Sequence, residues 1–128
     1  MSAHPRPQLL QEQGVTIVAF GDGFKTINED HVPDAGEVLV KATEQDPPLL
    51  VIDLDGVEFF SSSFIEVLFR VWNRLKKRHG HFALCNLFPY CKEVLKITNL
   101  HTLWKICGTR AEAIAWLQQQ GSGAPPAA

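Results

Sequence analysis

Residues 49–54, LLVIDL, are the most strand-like segment of the chain and constrain its fold more than any other. Every side chain but Asp53 is apolar, so neither face of this strand can look at water and both must be covered. From Phe64 the period changes. Phe64, Leu68, Val71, Trp72 and Leu75 recur at helical spacing, while Glu66, Arg70, Asn73, Arg74 and Lys77 fall on the other side. His79-Gly80 ends that helix, and Phe82-Ala83-Leu84-Cys85 reads as a second buried strand. A strand covered on both faces, then an amphipathic helix, then another buried strand, is the signature of an α/β sheet domain with two or three layers.

The flanking segments extend the alternation. Gly14 precedes the β-branched run Val15 to Phe20, a strand against which Leu9 and Leu10 can pair. Gly21 to Pro33 reads as loop. Asp34 is expected to cap a helix running to about Glu44, with Val38, Leu39 and Ala42 as its buried stripe, and Asp46-Pro47-Pro48 stops it. Pro89 suits the first turn of a short helix to Ile97, with Asn99 in a left-handed cap after it. Leu103 to Ile106 is a candidate last strand, and Thr109-x-x-Glu112 is a capping box opening a final helix through Leu117. One domain over residues 8–119 is expected, with flexible tails at 1–7 and 120–128.

Composition excludes several classes. No apolar run reaches the ~18 residues that span a bilayer, and the first fourteen residues lack the apolar core of a signal peptide, so a cytoplasmic protein without membrane insertion is expected. Cys85, Cys91 and Cys107 are odd in number, form no C-x-x-C pair, and read as buried hydrophobes. Residues 1–60 hold 11 acids against three bases, and residues 61–128 hold three acids against nine bases. Most of that positive charge lies in Arg70, Arg74, Lys76, Lys77 and Arg78, in a chain whose total charge is acidic. It reads as a solvated helix face rather than a nucleic-acid site.

Asp53-Leu54-Asp55-Gly56-Val57 after an apolar strand is similar to the nucleophile loop of haloacid-dehalogenase-type phosphatases, whose chemistry needs a metal held by further carboxylates downstream. No aspartate follows Asp55, so a non-enzymatic protein is expected. No G-x-S-x-G elbow, glycine-rich phosphate loop or metal-ligand spacing accompanies it, and the five histidines read as loop residues; neither metal nor other cofactor is expected. Ser61, Ser62 and Ser63 stand where the helical pattern begins. Ser63-x-x-Glu66 is a capping box, with Glu66 reaching back to the Ser63 amide. The same hydroxyl would also put an added phosphate at free N–H groups and the positive end of the helix dipole.

Residues 49–117 resemble a STAS domain, the family of bacterial anti-sigma factor antagonists and of sulfate-transporter tails. The resemblance lies in Leu50 to Phe60, then Ser61-Ser62-Ser63-Phe64-Ile65, Lys76-Lys77-Arg78-His79-Gly80, Leu95-Lys96-Ile97-Thr98-Asn99-Leu100 and Glu112-Ala113, in the family's order. It implies a single domain with a mixed four- to five-stranded β-sheet and helices packed mainly on one side. It also implies binding without catalysis: an anti-sigma factor that doubles as a serine kinase, or a similar regulator, is released on phosphorylation. The family's phospho-acceptor falls on Ser63, with Ser62 as the alternative. The implied partner surface comprises Ser61, Ser62, Ser63, Phe64, Glu66, Arg70 and Asn73, on a monomer or weak dimer. Two departures stand out: Ser61 replaces the family aspartate, and Phe64 replaces the glycine after the acceptor, so Phe64 either turns into the core or blocks a partner's approach. A subunit of a membrane lipid-transport complex and an unphosphorylated scaffold in a signalling assembly are the alternative roles.

Overall fold

The computed structural model describes residues 6–121. Strand β1 (Gln8–Glu12) turns through Gln13-Gly14 into β2 (Val15–Ala19), antiparallel, with Glu12 opposite Val15. Both turn residues have positive φ, 52° and 80°, as a two-residue hairpin matched to the strand twist requires. The segment expected to be loop contains a 3-10 turn (Asp22–Phe24) and a two-residue strand β3 (Thr26–Ile27). Helix α1 (Val32–Ala42) follows, then β4 (Leu49–Asp53), the short β5 (Phe59–Phe60) and helix α2 (Ser62–Lys77). Strand β6 (His81–Cys85), α3 (Pro89–Ile97), β7 (Lys105–Cys107) and α4 (Arg110–Gly121) complete the chain.

The main sheet runs β1-β2-β4-β6-β7, antiparallel at β1–β2 and parallel elsewhere, so β4 is central and β6 its neighbour, as the apolar runs demanded. Every residue of β4 is buried. Leu50 and Ile52 pack with Val18, Phe82 and Leu84 beneath α1 and α2, whereas Leu49 and Val51 pack with Ile17, Ala83 and the α4 residues Ala113, Ile114 and Leu117. Cys91 and Leu95 of α3 join the first core, so one helix covers one face and three the other. Among the described residues no helix is long and apolar enough to cross a membrane.

Four expectations need correction. Helix α1 starts at Val32, two residues before Asp34, because Pro33 fits the first turn and the Asn28–His31 turn leads straight into it. The last strand lies at Lys105–Cys107, since Leu100–Thr102 form a 3-10 turn and Trp104 turns into the core. Helix α4 continues to Gly121. Of the expected tails, residues 1–5 and 122–128 lie outside the described residues, while Pro7 is buried and Arg6 pairs with Asp34 and Glu37. That pairing holds the Glu37 carboxyl below its ordinary range through the Arg6 hydrogen bond and charge.

The basic stretch of α2 is also more than a solvated face. Arg74 donates to Thr43 Oγ1 at 3.1 Å and meets Glu44 at 3.3 Å. Arg78 donates to the Thr43 and Gln45 carbonyls at 2.6 and 2.8 Å and pairs with Asp46. A guanidinium from one helix thereby satisfies the orphan carbonyls at the end of another. The end of α2 is built as the sequence suggests, with one twist: His79 takes the left-handed conformation (φ 59°), not Gly80.

Candidate functional site

The turn Val57–Ser61 carries the chain from β4 to α2, and the β3–β5 ladder decides where it goes. Thr26 and Ile27 pair in parallel with Phe59 and Phe60, and the Ser61 amide donates to the Ile27 carbonyl at 2.9 Å. This small sheet is what lays the Asn28–His31 turn against the start of α2. Within that turn Asp30 N–H donates to Asn28 Oδ1 at 3.0 Å, and the His31 ring sits edge-on to Phe24 at 5.5 Å.

Three adjacent serines thereby have three different environments. Ser61 is the N-cap residue, extended at φ −85° and ψ 170°, and its carbonyl accepts from the Phe64 and Ile65 amides at 3.1 and 3.3 Å. Its Oγ is buried and has no partner among the described residues. Ser62 is exposed. Ser63, half-buried, donates its hydroxyl to Glu29 Oε2 at 2.6 Å. The capping box expected at Ser63 and Glu66 is therefore not formed. The helix begins two residues earlier than that box requires, because the β3–β5 ladder ends its pairing at Ser61. The second box, at α4, does form: Thr109 Oγ1 accepts from Glu112 N–H at 3.2 Å, and Glu112 accepts from Gly108 N–H at 2.9 Å.

Phe64 turns into the core. It is fully buried, edge-on to Phe20 at 5.7 Å and tilted on Phe60 at 5.5 Å, so it offers no side chain to a partner and leaves the expected partner surface. Glu66, Arg70 and Asn73 are all exposed and, with Ser62, lie at spacings that set them along one side of α2. Glu29 and Asp30, both exposed, border Ser63 from the other side. The site is thus a serine hydroxyl at a helix N-terminus, held by a carboxylate and flanked by an exposed polar stripe. Phosphate there would meet the helix dipole favourably and Glu29 unfavourably.

Two polar groupings escaped the sequence reading. Glu29 lies in an aperiodic loop, and only the β-branched pair Thr26-Ile27 before a turn-rich Asn-Glu-Asp hinted at the ladder that carries it. The other is Asp53, which ends β4 at 4% exposure and accepts from Arg110 Nε at 2.8 Å, Asn86 Nδ2 at 2.9 Å and the Asp55 amide at 3.0 Å. Arg110, at the start of α4, also reaches Glu12 at 3.1 Å. Burial opposes the charge on Arg110, yet its hydrogen bond and ion pair with Asp53, aided by Glu12, hold the guanidinium above its ordinary value. Asp53 acts as a tie between the sheet and α4. Among the described residues no cluster of three His, Cys, Asp or Glu could hold a metal ion.

Comparison with known proteins follows the same lines. A STAS domain model matches residues 6–113. The chain is 29% identical over 66 residues to BtrV of Bordetella bronchiseptica, described as a candidate anti-sigma factor antagonist. That match covers 52% of this chain and 57% of BtrV, so only part of that relative's length is represented. An anti-sigma-factor antagonist (STAS) domain protein from Planctomyces limnophilus superposes with a TM-score of 0.81 at 37% identity, over 90% of this chain and 99% of its own. An anti-sigma factor antagonist from Mycobacterium paratuberculosis shares the fold, with a TM-score of 0.75 at 23% identity over 92% of this chain and 99% of its own. With the family model spanning most of its length, the chain belongs to the STAS domain family.

Proposed function

We propose that this protein is a non-enzymatic, cytoplasmic anti-sigma factor antagonist that switches partners when Ser63 is phosphorylated. The observation that carries the reading is the 2.6 Å hydrogen bond from Ser63 to Glu29. It holds the hydroxyl on the first turn of α2, beside the exposed side chains of Ser62, Glu66, Arg70 and Asn73 on which a regulatory protein would dock. A relative at 37% identity carrying the anti-sigma-factor antagonist description supports the class of partner.

Phosphorylation replaces a neutral donor by a group carrying about −1.5 to −2 charge. At Ser63 it also removes the proton that Glu29 accepts, leaving carboxylate and phosphate as like-charged neighbours. The helix terminus stabilises an exposed anion by only ~0.3–1 kcal/mol. The change therefore falls on the loop and on whatever protein covers it, where packed contact with the unmodified serine gives way to repulsion and desolvation cost.

Phosphopeptide mapping of protein from its own cells, combined with partner capture by wild type and Ser63→Asp, tests the reading. Phosphate on Ser63 and loss of an anti-sigma factor from the Asp variant are expected. Phosphate only on Ser62 would move the switch by one residue, to the most exposed of the three serines. Equal capture by both proteins, or no phosphate under any growth condition, would overturn switching.

A further inference from the structure

The chain has three tryptophans, and all three line one cleft of about 410 Å³. It lies where the last turns of α2 meet the start of β6 and the turn into β7. Fourteen residues of helix, roughly 20 Å, separate Lys76 at its edge from Ser62. Trp104 forms the buried wall, edge-on to Phe69 at 5.0 Å, Phe82 at 5.7 Å and Trp72 at 6.2 Å. Its Nε1–H is buried without an acceptor among the described residues. Lys76 Nζ stands 4.2 Å from the Trp72 ring centre, and Lys105 Nζ 5.8 Å from that of Trp116.

The charged side chains that line this cleft are cationic. No carboxylate is among its lining residues, although the protein as a whole is acidic. Neither Lys76 nor Lys105 has a salt bridge among the described residues, and each stands over an indole ring instead. Indole walls supply large flat apolar area, which planar ligands exploit by offset or edge-on stacking. The volume lies within the range of small-molecule sites, roughly 300–1,000 Å³. Two unneutralised ammonium groups over an aromatic wall complement a ligand with a flat apolar body and an acidic group.

We propose that this cleft binds a small planar aromatic anion, of the aryl carboxylate or aryl sulfonate type. The site is separate from the serine loop and does not depend on the switching role. Each tryptophan contributes one indole N–H signal, so ¹⁵N-labelled protein reports on the cleft directly. Titration with naphthalene-2-sulfonate should shift these signals saturably, and the neutral analogue 2-naphthylmethanol should bind roughly tenfold more weakly. In Lys76→Met with Lys105→Met, which keep the apolar stems, that preference should vanish while the neutral compound binds as before. No saturable shift in the wild type, equal binding of the two compounds, or a preference that survives in the double variant would each overturn the proposal. None of these readouts involves Ser63 or a protein partner, so failure here leaves the switching reading standing.

Discussion

Ser61 occupies the position where a serine ordinarily caps a helix, yet its side chain makes no capping bond. Its backbone does the work instead, through the Ile27 carbonyl on one side and the Phe64 and Ile65 amides on the other. An ordinary N-cap serine loses ~1 kcal/mol of stability when cut back to alanine. Here the hydroxyl is buried and has no partner among the described residues, a state that costs stability rather than adding it. Ser61→Ala should therefore leave the urea midpoint unchanged or raise it, by up to ~1 kcal/mol equivalent. A loss of ~1 kcal/mol would mean that the hydroxyl does cap the helix in solution. At the same scale, the substitution of phenylalanine at position 64 has a packing explanation: the ring completes an aromatic cluster with Phe20 and Phe60.

At the scale of elements, the α2–β6 junction leaves no room for a side chain at position 80. A Cβ at Gly80 would stand 2.4 Å from the Pro48 carbonyl oxygen and 2.8 Å from Pro48 Cβ. The oxygen is backbone, and it already accepts from the His81 amide at 3.0 Å, so it cannot swing aside. Gly80→Ala must then move the start of β6 away from the entry to β4, straining two central strands together. A loss of about 2–3 kcal/mol is expected in equilibrium urea unfolding, in the range of overpacked cores. The control is His79→Gly, which should be neutral or stabilising because His79 holds the left-handed conformation at φ 59°. That contrast follows from geometry and was not legible in the dipeptide His-Gly, where glycine is the natural candidate for the left-handed residue.

For the whole molecule, the buried thiols set an alkaline limit. Burial pushes Cys91 up to about 11 from the ordinary 9.0, and pushes Cys85 and Cys107 upward too, with the Asp53 charge adding to the effect on Cys85. The unfolded chain releases these protons above pH 9 while the folded protein keeps them. Stability is then complete below pH 9 and falls as pH rises toward 11 and beyond, by about 1 kcal/mol per pH unit for each retained thiol proton. Urea midpoints at pH 8, 9.5 and 10.5 should decline, and Cys85→Ala with Cys91→Ala should flatten the slope even though the variant is less stable throughout. An unchanged slope in the variant would assign the decline to other groups.

The order of the main-sheet strands and of the helices, the doubly buried β4, the amphipathic α2, the Pro89 start of α3 and the Thr109 cap of α4 were all readable from residue spacing. Each depends on contacts within a few residues or on a pattern that repeats along one face. The ladder between Thr26-Ile27 and Phe59-Phe60 was not readable, because two residues carry no period and their partners lie more than thirty positions away. Everything particular to the site depends on that ladder: where α2 begins, why Ser61 lacks a capping bond, and why Glu29 meets Ser63. The Asp53–Arg110 tie likewise joins residues 57 positions apart, a pairing that local chemistry cannot distinguish from any other acid and base. Periodic burial is a local property that a sequence carries on its own. The pairing of single polar groups is settled only when the folded sheet brings distant side chains within hydrogen-bond reach.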